Sequence, residues 1–229
     1  MNYTKDMLIS HKHKFITIDI PKTGTRSLRE TLVPLDVVDV VGDPFIGKSP
    51  FYQHGSIIEA NEVFKQLGWN IDDYFKFSTV RNPWRRYVSF LKYYLKKVSN
   101  HENNKKKKFK GVAKELIEDG NRIENNWLGC GSNQIVFLKK LISNWPSQYY
   151  YLVNEGGNVN FDMIAKTESL SKDVSSFCLK LGLTNQLKLK HENKSVYTRS
   201  YKDYYNQELI DTVAEKEKWV IDKFNYNTI

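Results

Sequence analysis

The sequence lacks the features that identify several familiar protein classes. Only two of its 229 residues are cysteine, Cys130 and Cys178, and they form no CxxC pair and no zinc-spaced cluster with histidine. No segment reaches the roughly 18 apolar residues that a membrane-spanning helix needs, and residues 1–14 have no long apolar core. We therefore expect two ordinary thiols, no metal site, no membrane span and a cytoplasmic protein.

Signatures of hydrolases are also missing. The nucleophile motif GxSxG does not occur, and no pair of carboxylates suggests glycosidase chemistry. What the sequence has in surplus is positive charge, with 35 Lys and Arg against 26 Asp and Glu, which gives a net charge of +9. Such a surplus favours a polyanionic partner, whether nucleotide, nucleic acid, anionic polysaccharide or membrane surface.

Length and patterning predict one domain over residues 1–229. A hydrophobic content of 40% is enough for a core. Short β-branched runs alternate with amphipathic segments, which predicts an α/β fold with a P-loop-like central parallel sheet and helices on both faces. The predicted strands are 15–20, 37–41, 75–80, 149–153 and 161–165. The predicted helices are 27–32, 57–67, 83–98, 111–118, 133–141, 170–181 and 206–224.

A basic segment follows the first predicted strand. Residues 21–27 read PKTGTRS, and they join that strand to a helix. Gly24 allows close approach of a ligand, hydroxyls lie at Thr23, Thr25 and Ser27, and Lys22 supplies a point charge. The segment resembles a P-loop in its logic, but its lysine precedes its glycine, so it does not follow GxxxxGK[ST]. The alternative is a plain strand-to-helix turn.

A second basic segment follows the strand predicted at 75–80. It contains Arg81, whose fork of donors suits phosphate, and Ser89 lies further along the next helix, on one side with Arg85 and Arg86. Helix N-termini favour anions. Two such segments predict a ligand with two separated anionic groups, although a surface ion pair would also explain Arg81.

Together these two segments, PKTGTRS and FKFSTVRNPWRRYVSF, resemble the sulfotransferases that use 3′-phosphoadenosine 5′-phosphosulfate (PAPS). The resemblance implies that the first segment holds the 5′-phosphosulfate, and that Arg81 and Ser89 hold the 3′-phosphate. The residues of the first segment with this implied role are Lys22, Thr23, Gly24, Thr25, Arg26 and Ser27. Arg26 departs from the Thr or Ser of many members, which removes one hydroxyl contact.

The likeness covers most of residues 14–226 and is weak over 99–150. Residues 161–170 look like the family's strand and E-x-L segment, and 191–195 look like part of its C-terminal region in carbohydrate-type members. Lys194 and Ser195 would lie near phosphate if the basic loop 188–199 closes over the nucleotide. The alternative is an ordinary surface loop. The family's reaction needs no metal.

A base must take the proton from the acceptor hydroxyl, and histidine suits that task. We predict that His11, His13 and His101 are surface residues. His54 lies between the two segments, where carbohydrate-type members often place their proposed base, and His191 is the next candidate. The alternatives for His54 are a structural histidine or a substrate contact.

The sequence thus predicts a PAPS-dependent sulfotransferase that acts on a hydroxyl, preferably of a saccharide. One alternative is a P-loop-like kinase that uses ATP, and the other is a non-enzymatic polyanion binder. The second rests on the charge and on the lysines from Lys105 to Lys110, which we interpret as a flexible solvated loop (99–110) or as a patch for an anionic acceptor. Aromatic residues do not alternate with these lysines as a stacking platform would require, which speaks against nucleic acid.

Overall fold

The structure is a computed structural model that describes residues 7–32, 54–102, 131–183 and 200–229. The strand predicted at 37–41, the helix predicted at 111–118 and Cys130 lie outside these ranges, as do residues 105–110, His191, Lys194 and Ser195. The chain divides into two compact units. The first unit consists of Met1–Arg81 and Ser147–Lys194, and the second unit of Asn82–Pro146 and Ser195–Ile229.

The helices follow the predicted order closely. The first unit contains α1 (Thr25–Leu32), α2 (Ile57–Gln66), a short α5 (Gln148–Leu152) and α6 (Leu170–Lys180). The second unit contains α3 (Pro83–Glu102), α4 (Gly131–Asn144), α7 (Gln207–Lys216) and α8 (Lys218–Phe224). Helix α3 continues four residues beyond its predicted end at 98, into the segment that we expected to be loop.

The first unit is built on a four-stranded sheet in the order β1 (Ile9–Ser10), β2 (Phe15–Ile18), β3 (Phe75–Val80) and β4 (Met163–Lys166). Strands β2, β3 and β4 are parallel, as predicted. The sheet is nevertheless mixed, because β1 pairs antiparallel with β2. A two-residue strand is too short to show alternation in the sequence, so periodicity could not reveal it.

Both faces of the central strands are buried. On one face, Phe15 and Phe77 pack with Leu28 of α1 and Phe177 of α6. On the other face, Lys76 lines a small cavity with Ile57 of α2 and Leu152 of α5, among other residues. Helices therefore lie on both sides of the sheet, which confirms that part of the prediction.

The strand predicted at 149–153 is wrong, because most of this segment forms α5. The side chain of Ser147 accepts a hydrogen bond from the N–H of Tyr150 and caps the helix. Only Val153 is extended, in a bridge with Val159. Aromatic and β-branched residues favour strands on average, but here an N-cap immediately before the segment decided the local structure.

The second unit is a helical cluster with a buried ion pair. Its apolar core draws on α3, α4 and α7, through residues that include Leu91, Phe137 and Leu209. Arg86 Nη1 lies 2.8 Å from Glu217 Oε1, and neither side chain is exposed. The single helix predicted at 206–224 is also wrong, because Glu217 separates the end of α7 from the start of α8.

Candidate active site

The loop between β2 and α1 has an unusual backbone. Lys22 has φ of 70° and Gly24 has φ of 88°. Glycine adopts such angles readily, whereas a residue with a Cβ is strained in that region. Strained backbone persists where surrounding contacts enforce it, and it concentrates at functional sites. The strain at Lys22 therefore marks this loop as a candidate site.

Arg81 connects the two basic segments. Its Nη1 donates a hydrogen bond to the backbone oxygen of Lys22, at 3.3 Å. Both residues follow parallel strands, so they emerge at the same edge of the sheet. The buried side chain of Gln148 in turn accepts from the N–H of Arg81 at 2.9 Å and donates to its C=O at 3.0 Å. Two segments that are 59 residues apart in sequence thus meet at one place.

Gly24 is needed for packing as well as for conformation. A Cβ placed on it would lie 2.9 Å from Cδ2 of Leu170 and 3.4 Å from Cγ2 of Thr167. The first of these distances is shorter than carbon atoms tolerate without a shift. The sequence suggested close approach by a ligand, but the structure shows close approach by the chain segment that follows β4.

The hydroxyl groups of the loop differ in their surroundings. Thr23 is fully buried, and its hydroxyl donates to the oxygen of Ile20 at 2.8 Å or pairs with Thr79 Oγ1 at 2.7 Å. Thr25 and Ser27 belong to the first turn of α1 and are also buried. Arg26 has an exposed side chain that pairs with Glu30 at 2.8 Å. Because the Thr23 hydroxyl bonds within the protein and no part of the residue is exposed, Thr23 stabilises the loop from inside.

His54 lies against the start of this loop. Its Nδ1 is 2.7 Å from the backbone oxygen of Asp19. Since a carbonyl oxygen can only accept, Nδ1 carries the hydrogen, and the neutral imidazole has its lone pair on Nε2. That tautomer is the one that a general base needs. The resemblance to carbohydrate-type members suggested His54, and the structure brings it to the first motif.

A buried ion pair supports the residue that holds His54. Both Nε and Nη2 of Arg29 contact Oδ2 of Asp19, at 2.8 and 2.7 Å, and Thr17 donates to Oδ1 at 3.2 Å. Burial raises the pKa of Asp19, while the charge of Arg29, and that of His54 when its imidazole is protonated, act in the opposite direction. No sequence pattern singled out Asp19 or Arg29, because their pairing depends on the fold.

In the second unit, α3 starts at a well-formed cap. Asn82 Oδ1 accepts from the N–H of Arg85 at 3.1 Å, and Pro83 takes the first helical position. Ser89 lies on this helix and is buried. Arg86 is committed to Glu217, so its role is structural, and Arg85 stacks on the ring of Tyr201 at 4.5 Å.

The other histidines and possible metal ligands do not form a second site. His11 is half-buried, with Nδ1 2.6 Å from the hydroxyl of Tyr74 and its ring against Trp69, so it is more enclosed than predicted. Among the described residues, no group of three or more His, Cys, Asp or Glu side chains has an arrangement that would hold a metal ion. Within the same ranges, no helix combines the length and the apolar character that a membrane crossing needs.

Comparison with known proteins gives one result. The model of a family described as the sulfotransferase family matches residues 5–223, which is nearly the whole chain. Searches of curated proteins and of solved structures found no match. The matched range includes the Lys22 loop, His54 and Arg81, so the contacts described above lie within it. The chain belongs to the sulfotransferase family.

Proposed function

We propose that this sulfotransferase moves the sulfuryl group of PAPS to a hydroxyl of a saccharide. The contact between Arg81 and the backbone of Lys22 is the observation that carries the proposal. It joins two cationic segments at the edge where parallel strands end, and open α/β sheets bind their ligands at that edge. A nucleotide with phosphate groups at both its 5′ and 3′ positions matches two such segments.

The proposed reaction is an in-line displacement at sulfur. The acceptor oxygen bonds to sulfur while the bond from sulfur to the 5′-phosphate oxygen breaks. The proton of the acceptor passes to Nε2 of His54, and 3′-phosphoadenosine 5′-phosphate leaves. Lys22 and the N–H groups of the loop stabilise the charge that grows on the departing oxygen. As in phosphoryl transfer, positioning and electrostatics supply most of the rate.

Other ligand contacts are assigned from the resemblance. Thr25, Arg26 and Ser27 belong to the 5′-phosphosulfate site in this proposal, and Arg81 and Ser89 bind the 3′-phosphate. Lys194 and Ser195 add contacts to phosphate from outside the described residues. The preference for a saccharide acceptor rests on the likeness to carbohydrate-type members.

Transfer of labelled sulfate from PAPS to a panel of saccharides tests the proposal. We expect Lys22→Ala and His54→Ala each to lower turnover by about 10²-fold or more. Lys65→Ala and His13→Ala are matched controls, because each removes the same side chain type from a position away from the loop, and they should keep full activity. Activity in His54→Ala equal to that of the wild type would remove His54 from the mechanism and direct attention to His191.

The kinase alternative has one sequence feature in its favour. The pattern GxxxxGK[ST] does occur in the chain, at residues 42–49 (GDPFIGKS), outside the described residues. Thermal shifts with ATP and with 3′-phosphoadenosine 5′-phosphate, measured on Lys22→Ala and Lys48→Ala, separate the two functions. A sulfotransferase should bind 3′-phosphoadenosine 5′-phosphate more tightly than ATP, and Lys22→Ala should weaken that binding. A kinase should bind ATP more tightly, and Lys48→Ala should weaken that binding. Steeply salt-dependent binding to polyanions without sulfate transfer would instead favour the binding protein.

A further inference from the structure

Thr167 makes contact with both of the chain segments that carry the proposed donor site. Its hydroxyl lies 2.7 Å from the backbone oxygen of Thr23 and 2.8 Å from that of Val80. The first oxygen belongs to the loop after β2, and the second ends β3, one residue before Arg81. Thr167 itself follows β4, so one side chain links the ends of three neighbouring strands.

The single hydrogen of the Thr167 hydroxyl is shared between these two oxygens, and its contact with the Thr23 oxygen fixes the direction of a peptide group. In a trans peptide, the C=O of one residue and the N–H of the next point in opposite directions. Because the oxygen of Thr23 is turned toward Thr167, the N–H of Gly24 is turned away from it. Arg81 acts in the same way on the preceding peptide, since it binds the oxygen of Lys22 and so turns the N–H of Thr23 away from itself.

The two oriented N–H groups have a property that suits a ligand. Within the described part of the chain, neither the N–H of Thr23 nor that of Gly24 has a hydrogen-bond acceptor. Thr23 is fully buried, and buried N–H groups without an acceptor are rare in folded proteins. Consecutive N–H groups in a loop with positive φ angles form a concave site that binds anions.

We infer that Thr167 is a positioning residue for the anionic donor: it holds the Thr23–Gly24 peptide so that the N–H of Gly24 meets the 5′-phosphosulfate. This inference rests on the proposed function. The packing at Gly24 supports it, because Cγ2 of Thr167 and Cδ2 of Leu170 fill the space beside the same peptide. The segment that follows β4 thus shapes the loop through a hydroxyl and through apolar contacts.

Three variants test this role. Thr167→Val keeps the shape and the methyl group beside Gly24 but removes the hydroxyl, while Thr167→Ser keeps the hydroxyl. Ser78→Ala is the matched control, because Ser78 also donates from a buried hydroxyl to a strand oxygen, that of Ile18, at 2.7 Å, and lies within the sheet away from the loop. The readouts are the Kd of 3′-phosphoadenosine 5′-phosphate, the KM of PAPS, and hydrogen exchange of the peptide that covers residues 19–27.

We expect Thr167→Val to raise Kd and the KM of PAPS by about 3- to 10-fold, the scale of one hydrogen bond. It should also speed hydrogen exchange of the peptide that covers residues 19–27, and it should leave the KM of the acceptor unchanged. Thr167→Ser should behave as the wild type, and Ser78→Ala should bind the nucleotide normally. Normal nucleotide binding by Thr167→Val, or an equal loss of binding in Ser78→Ala, would overturn the role of Thr167 but not the proposed function. A wild-type protein that does not bind the nucleotide would overturn the proposed function.

Discussion

Replacing Gly24 with alanine should destabilise the protein for two separable reasons. The first is conformational, because φ is 88° and a residue with a Cβ loses about 1–2 kcal/mol in the left-handed region. The second is steric, because the new Cβ would lie 2.9 Å from Cδ2 of Leu170, and overpacking costs about 1–3 kcal/mol. We therefore expect a loss of about 2–5 kcal/mol in the free energy of unfolding.

Gly182→Ala isolates the conformational part. Gly182 has φ of 66°, and a Cβ there would meet none of the described residues within 4 Å. This variant should lose only about 1 kcal/mol. Urea unfolding followed by circular dichroism measures both losses, and sulfate transfer reports on the loop. Gly24→Ala should lose activity even where it is folded, whereas Gly182→Ala should remain active.

A double-mutant cycle tests the named contact directly. Leu170→Ala removes the atom that the new Cβ would strike, so the combination of Gly24→Ala with Leu170→Ala should be less destabilised than the two single losses added together. Equal losses in Gly24→Ala and Gly182→Ala, or strict additivity in the cycle, would refute the argument that Leu170 requires glycine at this position.

Three further predictions concern stability and reactivity. Glu217→Gln should lower the free energy of unfolding by about 3–5 kcal/mol, because it leaves the buried charge of Arg86 without its counterion. Replacing Arg86 and Glu217 together by Met and Leu should lower it less. Urea unfolding in which this double variant is less stable than Glu217→Gln would contradict the prediction. Ser56→Ala should cost about 0.5–2 kcal/mol, since Ser56 and Glu59 form a capping box at α2, which the same measurement checks. Burial raises the pKa of Cys178 to about 11, so in a Cys130→Ser background its thiol should react slowly with a disulfide reagent at pH 8 and rapidly in urea. Because the folded pKa lies above the ordinary value of 9.0, this thiol's contribution to stability is complete below pH 9 and is lost as the pH rises from 9 towards 11.

Local sequence signals determined most of the elements. The strand predicted at 75–80 has the bounds of β3, and the helix predicted at 57–67 matches α2 to within one residue, with Gly68 just beyond its end. Asn82 and Pro83 mark the start of α3 through a cap and a fixed φ. These features depend on neighbours within a few residues, so the sequence contains them directly. The same applies to the chemistry of the loop, where a lysine, a glycine and several hydroxyls follow a strand.

Contacts between distant segments were decided only by the tertiary structure. The roles of Thr167 and Gln148 depend on the pairing of β3 with β4 and on α5, whose own sequence favours a strand. The buried pair of Asp19 with Arg29, and the break at Glu217, likewise need partners that sequence spacing does not reveal. The sequence by itself determined which residues could bind an anion. Only the fold decided which backbone groups are turned toward it, because peptide direction is set by hydrogen bonds from residues far along the chain.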